Sequence, residues 1–243
     1  MEFTSSLLAR ARKEPPYWAN TTIEEFPESY FRRALPFVTR HGWQAGADIN
    51  VFAVTGTRHP DYHGMKWLEF LARGKRMPVN HRLWEENPGY YREDARKLPE
   101  MSYISLDGFS WYVDADGNHR TAIARFDFAV DTRTQLRGVT LSHYQFDDEF
   151  QALFERAADI VRQRRIGEMR HENRIIRRDD APGWKLDRHV NTATLETASS
   201  KTTADPTLKG DFGTVDLRRL IATLERPAWR RWFPALHCRP NGL

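Results

Sequence analysis

The densest chemistry in the chain lies in residues 113–126, VDADGNHRTAIARF, where two acids, a glycine, an amide, an imidazole and a guanidinium fall within seven positions, 114–120. A β-rich run ends at Val113 and a helical pattern begins directly after Gly117. At such a junction the first backbone N–H groups of the helix have no intrahelical partner and the helix dipole is positive, so an anion is favoured there. Gly117 lets a phosphate come close to the backbone, and His119 and Arg120 bring donors. The residue types outline a phosphate site. They also serve a plain helix start, with Asp114 or Asp116 as the cap, Gly117 as the turn, and His119 and Arg120 in water.

Several elements must position this stretch. Upstream, residues 101–106 and 109–113 are β-rich and flank Asp107-Gly108, a strong hairpin signal because both turn residues tolerate positive φ. Residues 48–57 (DINVFAVTGT) read as one strand. A helix is expected over 64–73, with Trp67, Leu68 and Leu71 on one face and Gly74 at its end. Arg73, Lys75 and Arg76 then surround that glycine and lead through Met77-Pro78-Val79 to Asn80. On charge pattern alone this is a solvated helix end. Residues 81–98 look helical in two pieces divided at Asn87-Pro88-Gly89; Glu85, Glu86, Glu93 and Asp94 form an acidic face there, one member of which has a metal as its alternative role. Residues 138–146 alternate like a half-buried strand. Asp147 then caps the clearest amphipathic helix, with Phe150, Leu153, Phe154, Ala157, Ile160 and Val161 on one face.

The ends carry different compositions. Residues 1–20 read as a loose arm, and residues 22–33 as a short capped helix broken near Pro27. Arg162, Arg164, Arg165, Arg170, Arg174, Arg177 and Arg178 make an arginine run without lysine, suited either to a solvated face or to bidentate phosphate-backbone contacts. Residues 191–198 suggest a late strand and 199–210 a polar linker. Asp216 begins a last helix through Leu217, Leu220, Ile221 and Leu224. The tail interleaves Arg226, Arg230, Arg231 and Arg239 with Trp229, Trp232 and Phe233, a mixture fit for stacking on bases or, preferably, for docking on protein.

At 243 residues, 40% hydrophobic and 29% charged, the chain can bury one sizeable core, and a formal charge of +4 permits anionic partners without requiring them. One cysteine, Cys238, rules out an internal disulfide and a cysteine-based zinc site, and no run of 18 apolar residues is present, so no membrane insertion and a cytoplasmic setting are expected. Walker-type and Gly-x-Gly-x-x-Gly loops are absent, as is a Gly-x-Ser-x-Gly elbow. His59 and His63 stand four apart, but Pro60 between them favours a surface loop over a metal-binding helix. Periodicity alone gives mixed α and β.

The string Asp116-Gly-Asn-His-Arg-Thr-Ala-Ile-Ala-Arg125 resembles the Gly-x-His-Arg box of the ParB/sulfiredoxin superfamily, and residues 73–156 resemble most closely plasmid fertility-inhibition proteins of the Osa and FiwA type. Asn118 stands where sulfiredoxins have their cysteine, and no counterpart of a partition protein's helix-turn-helix follows residue 168. The resemblance implies an α+β fold with a small mixed sheet flanked by helices. The division it suggests is an arm and first strand over 1–60, the core over 61–167 and a basic extension over 168–243. It implies a plasmid protein that blocks conjugative transfer at the type IV secretion coupling stage, with ATPase and DNase activities, ATP and Mg²⁺ (or another divalent cation) as cofactors, and DNA, nucleotide and a coupling protein as partners. His119 is then the base or water-orienting group, Arg120 neutralises phosphoryl charge with Asp116 beside it, and Gly117, Asn118 and Thr121 cradle phosphate. Arg73, Lys75, Arg76 and Asn80 form a second wall on a basic segment entering a short strand. Asp114 or Asp116 holds the metal, and Arg162, Arg165, Arg170, Arg174, Arg177 and Arg178 meet DNA. The alternatives are a non-catalytic adaptor that binds nucleotide or DNA and inhibits the coupling protein, or a ParB-like partition or regulatory DNA-binding protein.

Overall fold

A computed structural model describes residues 5–197 and 210–226. Eight strands form one mixed sheet: β1 (Glu24–Glu25), β2 (Val38–Asn50), β3 (Val54–Thr57), β4 (Ser102–Ser105), β5 (Trp111–Val113), β6 (Gln135–Phe146), β7 (Gly167–Ala181) and β8 (Trp184–Thr197), in the order β1-β3-β5-β4-β6-β2-β8-β7. The helices are α1 (Ser6–Lys13), α2 (Glu28–Ala34), α3 (Trp67–Arg73), α4 (Met77–Glu86), α5 (Gly89–Arg92), α6 (Asn118–Asp131), α7 (Asp148–Gln163) and α8 (Thr214–Glu225). The α+β class is as expected, but the sheet is larger than the small one anticipated. Among the described residues no helix is long and apolar enough to cross a membrane.

The chain divides into two compact units. One holds the residues up to Phe146 together with Ile175–His189, and the other holds Asp147–Arg174 and the residues from Val190 onward. These limits differ from the expected divisions at 60 and 167, because the N-terminal stretch contributes to the first core rather than forming an arm. In α1, Leu7, Leu8 and Ala11 are buried, and each leucine so placed contributes about 1.5–3 kcal/mol. Ser5 fixes the helix start: its Oγ accepts the Leu8 N–H at 3.1 Å and lies 2.8 Å from Nδ1 of the buried His81. Glu85 accepts the Ser6 N–H at 3.0 Å, so this member of the acidic face acts as a helix anchor.

The first core is organised round α6. Residues Thr121–Phe128 of this helix are all buried, which marks it as a core helix rather than an amphipathic one. Its Arg125, 4% exposed, places its guanidinium 4.5 Å from the Trp18 ring and 4.1 Å from that of Trp67 and donates to the Val54 carbonyl.

The hairpin at Asp107-Gly108 forms between β4 and β5, with Gly108 at φ +81° and the Asp107 carboxylate accepting the Phe109 and Ser110 N–H groups at 2.8 Å. Asp147 caps α7 through the Phe150 N–H at 3.0 Å. The strand expected over 48–57 is interrupted by a 3-10 turn at Val51–Ala53, so its two ends belong to β2 and β3. The capped helix expected from Thr22 starts only at Glu28, after the short strand β1. The segment after Gly74, expected to enter a strand, is helical: Pro78 sits in the first turn of α4, where its missing N–H costs nothing. In the second unit α8 buries Leu217, Leu220, Ile221 and Leu224 as expected, with Asp216 in its first turn and Gly213 as the cap. The expected linker (except Gly210) and the tail beyond Arg226 lie outside the described residues.

Candidate functional site

Two neighbouring parallel strands build the site. β3 and β5 pair in parallel, so the loops leaving their C-terminal ends, after Thr57 and after Val113, emerge on the same edge of the sheet. The loop after Val113 is pinned to Ser102. The Asp114 N–H donates to the Ser102 carbonyl at 2.9 Å, the Ala115 N–H to its Oγ at 3.1 Å, and the Ser102 N–H to the Asp116 carbonyl at 3.1 Å. Gly117 then turns the chain into α6 at φ +120°, a conformation that L side chains rarely adopt. It is the N-cap residue and brings no side chain to cap the helix.

This helix start opens onto a cleft of about 380 Å³ whose lining includes Asn118, His119 and Asp116 from the box and Lys75 and Arg76 from the approach to α4. His59, Asp61 and Tyr62, from the loop after β3, complete it. The structure therefore joins the box to part of the basic segment. Tyr62 stacks on His59 at 4.1 Å, and the His119 ring lies 5.2 Å from Tyr62 and 5.1 Å from Phe70. His119 Nε2 accepts the Arg76 N–H at 3.2 Å. Burial, followed by the nearby charge of Arg76, pulls its pKa down to about 4. This lies well below the ordinary histidine value of 6.5. The ring is neutral, its proton sits on Nδ1, and its lone pair is occupied, so in this arrangement His119 orients and donates rather than acting as a base.

Arg120 does not line this cleft. Its side chain, 12% exposed, donates to Tyr90 Oη at 2.6 Å, the Glu100 carbonyl at 3.0 Å, Asp116 Oδ2 at 2.9 Å and the Pro99 carbonyl. It faces a second, smaller cavity that Asn80 also lines. With its donors committed to four acceptors, Arg120 clamps the loop before β4 onto α6 and is not poised to neutralise a phosphate in the first cleft.

Thr121 is fully buried; its Oγ1 donates to the Gly117 carbonyl at 2.8 Å and sits 2.8 Å from Tyr103 Oη, so it supports the helix start from below. Asn118 Oδ1 accepts the Thr57 hydroxyl at 2.7 Å, which ties the box to the end of β3. Arg73 lines neither cavity.

The proposed metal ligands do not converge. Asp114 Oδ1 pairs with Arg58 at 2.7 Å, in a network that includes Glu28. Asp116 accepts the Gly117 N–H through Oδ1 and Arg120 through Oδ2. No group of three or more potential metal-ligating His, Cys, Asp or Glu side chains occurs among the described residues. As arranged, these aspartates do not fit a divalent cation.

The arginine run is not an unbalanced cationic face either. Arg162 pairs with Asp159, Arg170 with Glu196, Arg174 with Glu172, Arg177 with Asp179 and Arg178 with Asp187, at 2.6–3.7 Å. Arg165 follows α7 at φ +52°. A phosphate backbone would compete with a carboxylate at each of these five arginines.

His59, Asp61 and Tyr62 were not legible as site residues from spacing. The signal that places them is the parallel pairing of β3 with β5, since crevices at the carboxyl ends of parallel strands are where ligands bind. In comparisons with known proteins, no family model matches the sequence, and no curated protein or solved structure is detectably similar.

Proposed function

We propose that this protein binds a nucleotide through its phosphates in the cleft at the start of α6 and uses that complex to block conjugative DNA transfer, as its resemblance to plasmid fertility-inhibition proteins implies. The observation that supports phosphate binding is the juxtaposition of an uncapped helix start with Lys75, Arg76 and the Asn118 and His119 side chains in one cleft. Partly sheltered amides and cations of this kind favour a phosphoryl group over water. On this reading the protein has a ParB/sulfiredoxin-like core and works in the cytoplasm against a type IV secretion coupling protein.

ATP hydrolysis and DNA cleavage are the activities the resemblance adds. A specific observation favours the non-catalytic form of the same reading, an adaptor whose nucleotide is bound and not turned over. The His119 lone pair is taken by Arg76, and Arg120, which does not line the cleft, has its donors held by four acceptors. Neither is placed to activate water or to meet charge developing on a phosphoryl oxygen. The test is to measure ATP binding and ATP turnover, with Mg²⁺ present, on the same preparation. Binding without turnover supports the adaptor. Turnover that survives H119A supports an enzyme with another base, and absence of both removes the nucleotide from the account.

A further inference from the structure

The cleft at the start of α6 brings together two unlike sets of groups. Lys75, Arg76 and the first amides of α6 favour an anion, while His59, Asp61 and Tyr62, from the loop after β3, are aromatic and acidic. A carboxylate gains nothing from a phosphate, because like charges in a sheltered cleft repel. Asp116, the other acid of the lining, is already held: its Oδ1 accepts the Gly117 N–H at 2.6 Å and its Oδ2 pairs with Arg120 at 2.9 Å. Asp61 is different. Its backbone N–H donates to His59 Nδ1 at 3.2 Å, and among the described residues its carboxylate forms no hydrogen bond or ion pair.

A nucleotide is divided in the same way, anionic at its phosphates and rich in donors at its base. We propose that Asp61 reads the base and that the ligand is a guanine nucleotide, an inference that rests on nucleotide binding in this cleft. Guanine alone among the common bases presents two adjacent donors, N1–H and the N2 amine, spaced for the two oxygens of one carboxylate. Adenine and cytosine each set a ring-nitrogen lone pair beside their single amine. Uracil and thymine set a carbonyl on either side of their one N–H. An acceptor-only carboxylate therefore meets a repelling atom in every base but guanine.

The base plane also has a surface to lie on. His59 stacks on Tyr62 at 4.1 Å and 20°, and Tyr62 is in turn packed against Phe70 and His119. Tyr62 is buried and His59 half-buried, so the stacked pair is anchored through Tyr62 and offers the accessible side of His59 to a base, two residues from Asp61. ATP shares the phosphates and is expected in the same cleft at lower affinity.

Calorimetric titration of the full chain, with Mg²⁺ present, compares GTP, ATP, inosine triphosphate and xanthosine triphosphate on wild type and D61N. Wild type should bind GTP about tenfold or more tightly than ATP, and than inosine triphosphate, which lacks only the N2 amine. D61N should lose that preference and gain about tenfold for xanthosine triphosphate, since the introduced amide N–H donates to the oxygen that replaces the amine. A misfolded variant would gain nothing, so this gain also reports an intact cleft. Equal affinity of wild type for GTP and ATP, with both weakened by K75A/R76A, would overturn the guanine assignment and leave nucleotide binding standing. D61N weakening all four ligands alike would also overturn it, and would give Asp61 to the shared ribose or to Mg²⁺ on the phosphates. No binding of any of the four would overturn the nucleotide reading itself, and the guanine assignment with it.

Discussion

The backbone N–H of Arg76 donates to Nε2 of His119 at 3.2 Å, so the residue that opens α4 and the second residue of α6 are fastened across the cleft. That hydrogen bond fixes the histidine tautomer and holds a cationic segment beside an uncapped helix start, while burial of the ring keeps it neutral.

The first prediction concerns that imidazole. Its pKa in the folded chain, about 4, lies below the ordinary histidine value of 6.5. The unfolded chain therefore takes up a proton first. The stability contributed by the neutral ring is complete above about pH 6.5 and is lost as pH falls through about 4. An anion bound in the cleft stabilises the imidazolium and moves the titration upward. Following the ring C2–H by NMR should give a midpoint near 4 without ligand and a higher one with ATP. A midpoint near 6.5 without ligand would contradict the burial.

Arg120 is predicted to be structural. R120A strands the Tyr90 hydroxyl, two carbonyls and the Asp116 carboxylate, and should lower stability by about 2–4 kcal/mol. Chemical denaturation reads this directly. The contrary outcome is an R120A protein of unchanged stability that no longer binds nucleotide.

Gly117 admits few substitutes. At φ +120°, with the Met101 side chain 3.3 Å from any added Cβ, G117A should cost about 1–3 kcal/mol and weaken nucleotide binding by displacing the helix start. Equal stability of G117A and wild type in thermal unfolding would refute this.

Arg125 is buried between two indole rings and forms no ion pair among the described residues, so much of what it brings is volume and apolar stem. R125M should remain within about 1 kcal/mol of wild type, while R125A, which leaves a cavity, should lose about 3 kcal/mol. Urea unfolding of the two variants makes the comparison, and equal losses would show that the charge itself matters.

Local signals were legible in the sequence, and long-range ones were not. Asp107-Gly108 and Asp147 announce a turn and a cap because their side chains act on backbone two or three residues away. The helix start at Gly117 is legible for another local reason, since glycine readily takes the positive φ that the turn into α6 requires. β7 was hidden as a strand because its arginine-rich sequence lacks apolar alternation, and the stretch 174–178, exposed at every position, has no need of it. α1 was missed because eight residues carry too short a pattern, and burial against the rest of the core decides it. Arg120 looked catalytic because its partners Tyr90, Pro99 and Glu100 lie 20–30 residues upstream, where only the tertiary fold brings them to it.

The most direct test of the nucleotide cleft is calorimetric titration of ATP, with Mg²⁺, into wild type and into K75A/R76A. Both side chains border the cleft, and neither forms a side-chain ion pair among the described residues. The double variant should therefore keep its thermal midpoint and bind at least about tenfold more weakly. Equal affinity in the two proteins would place the nucleotide elsewhere and contradict the account.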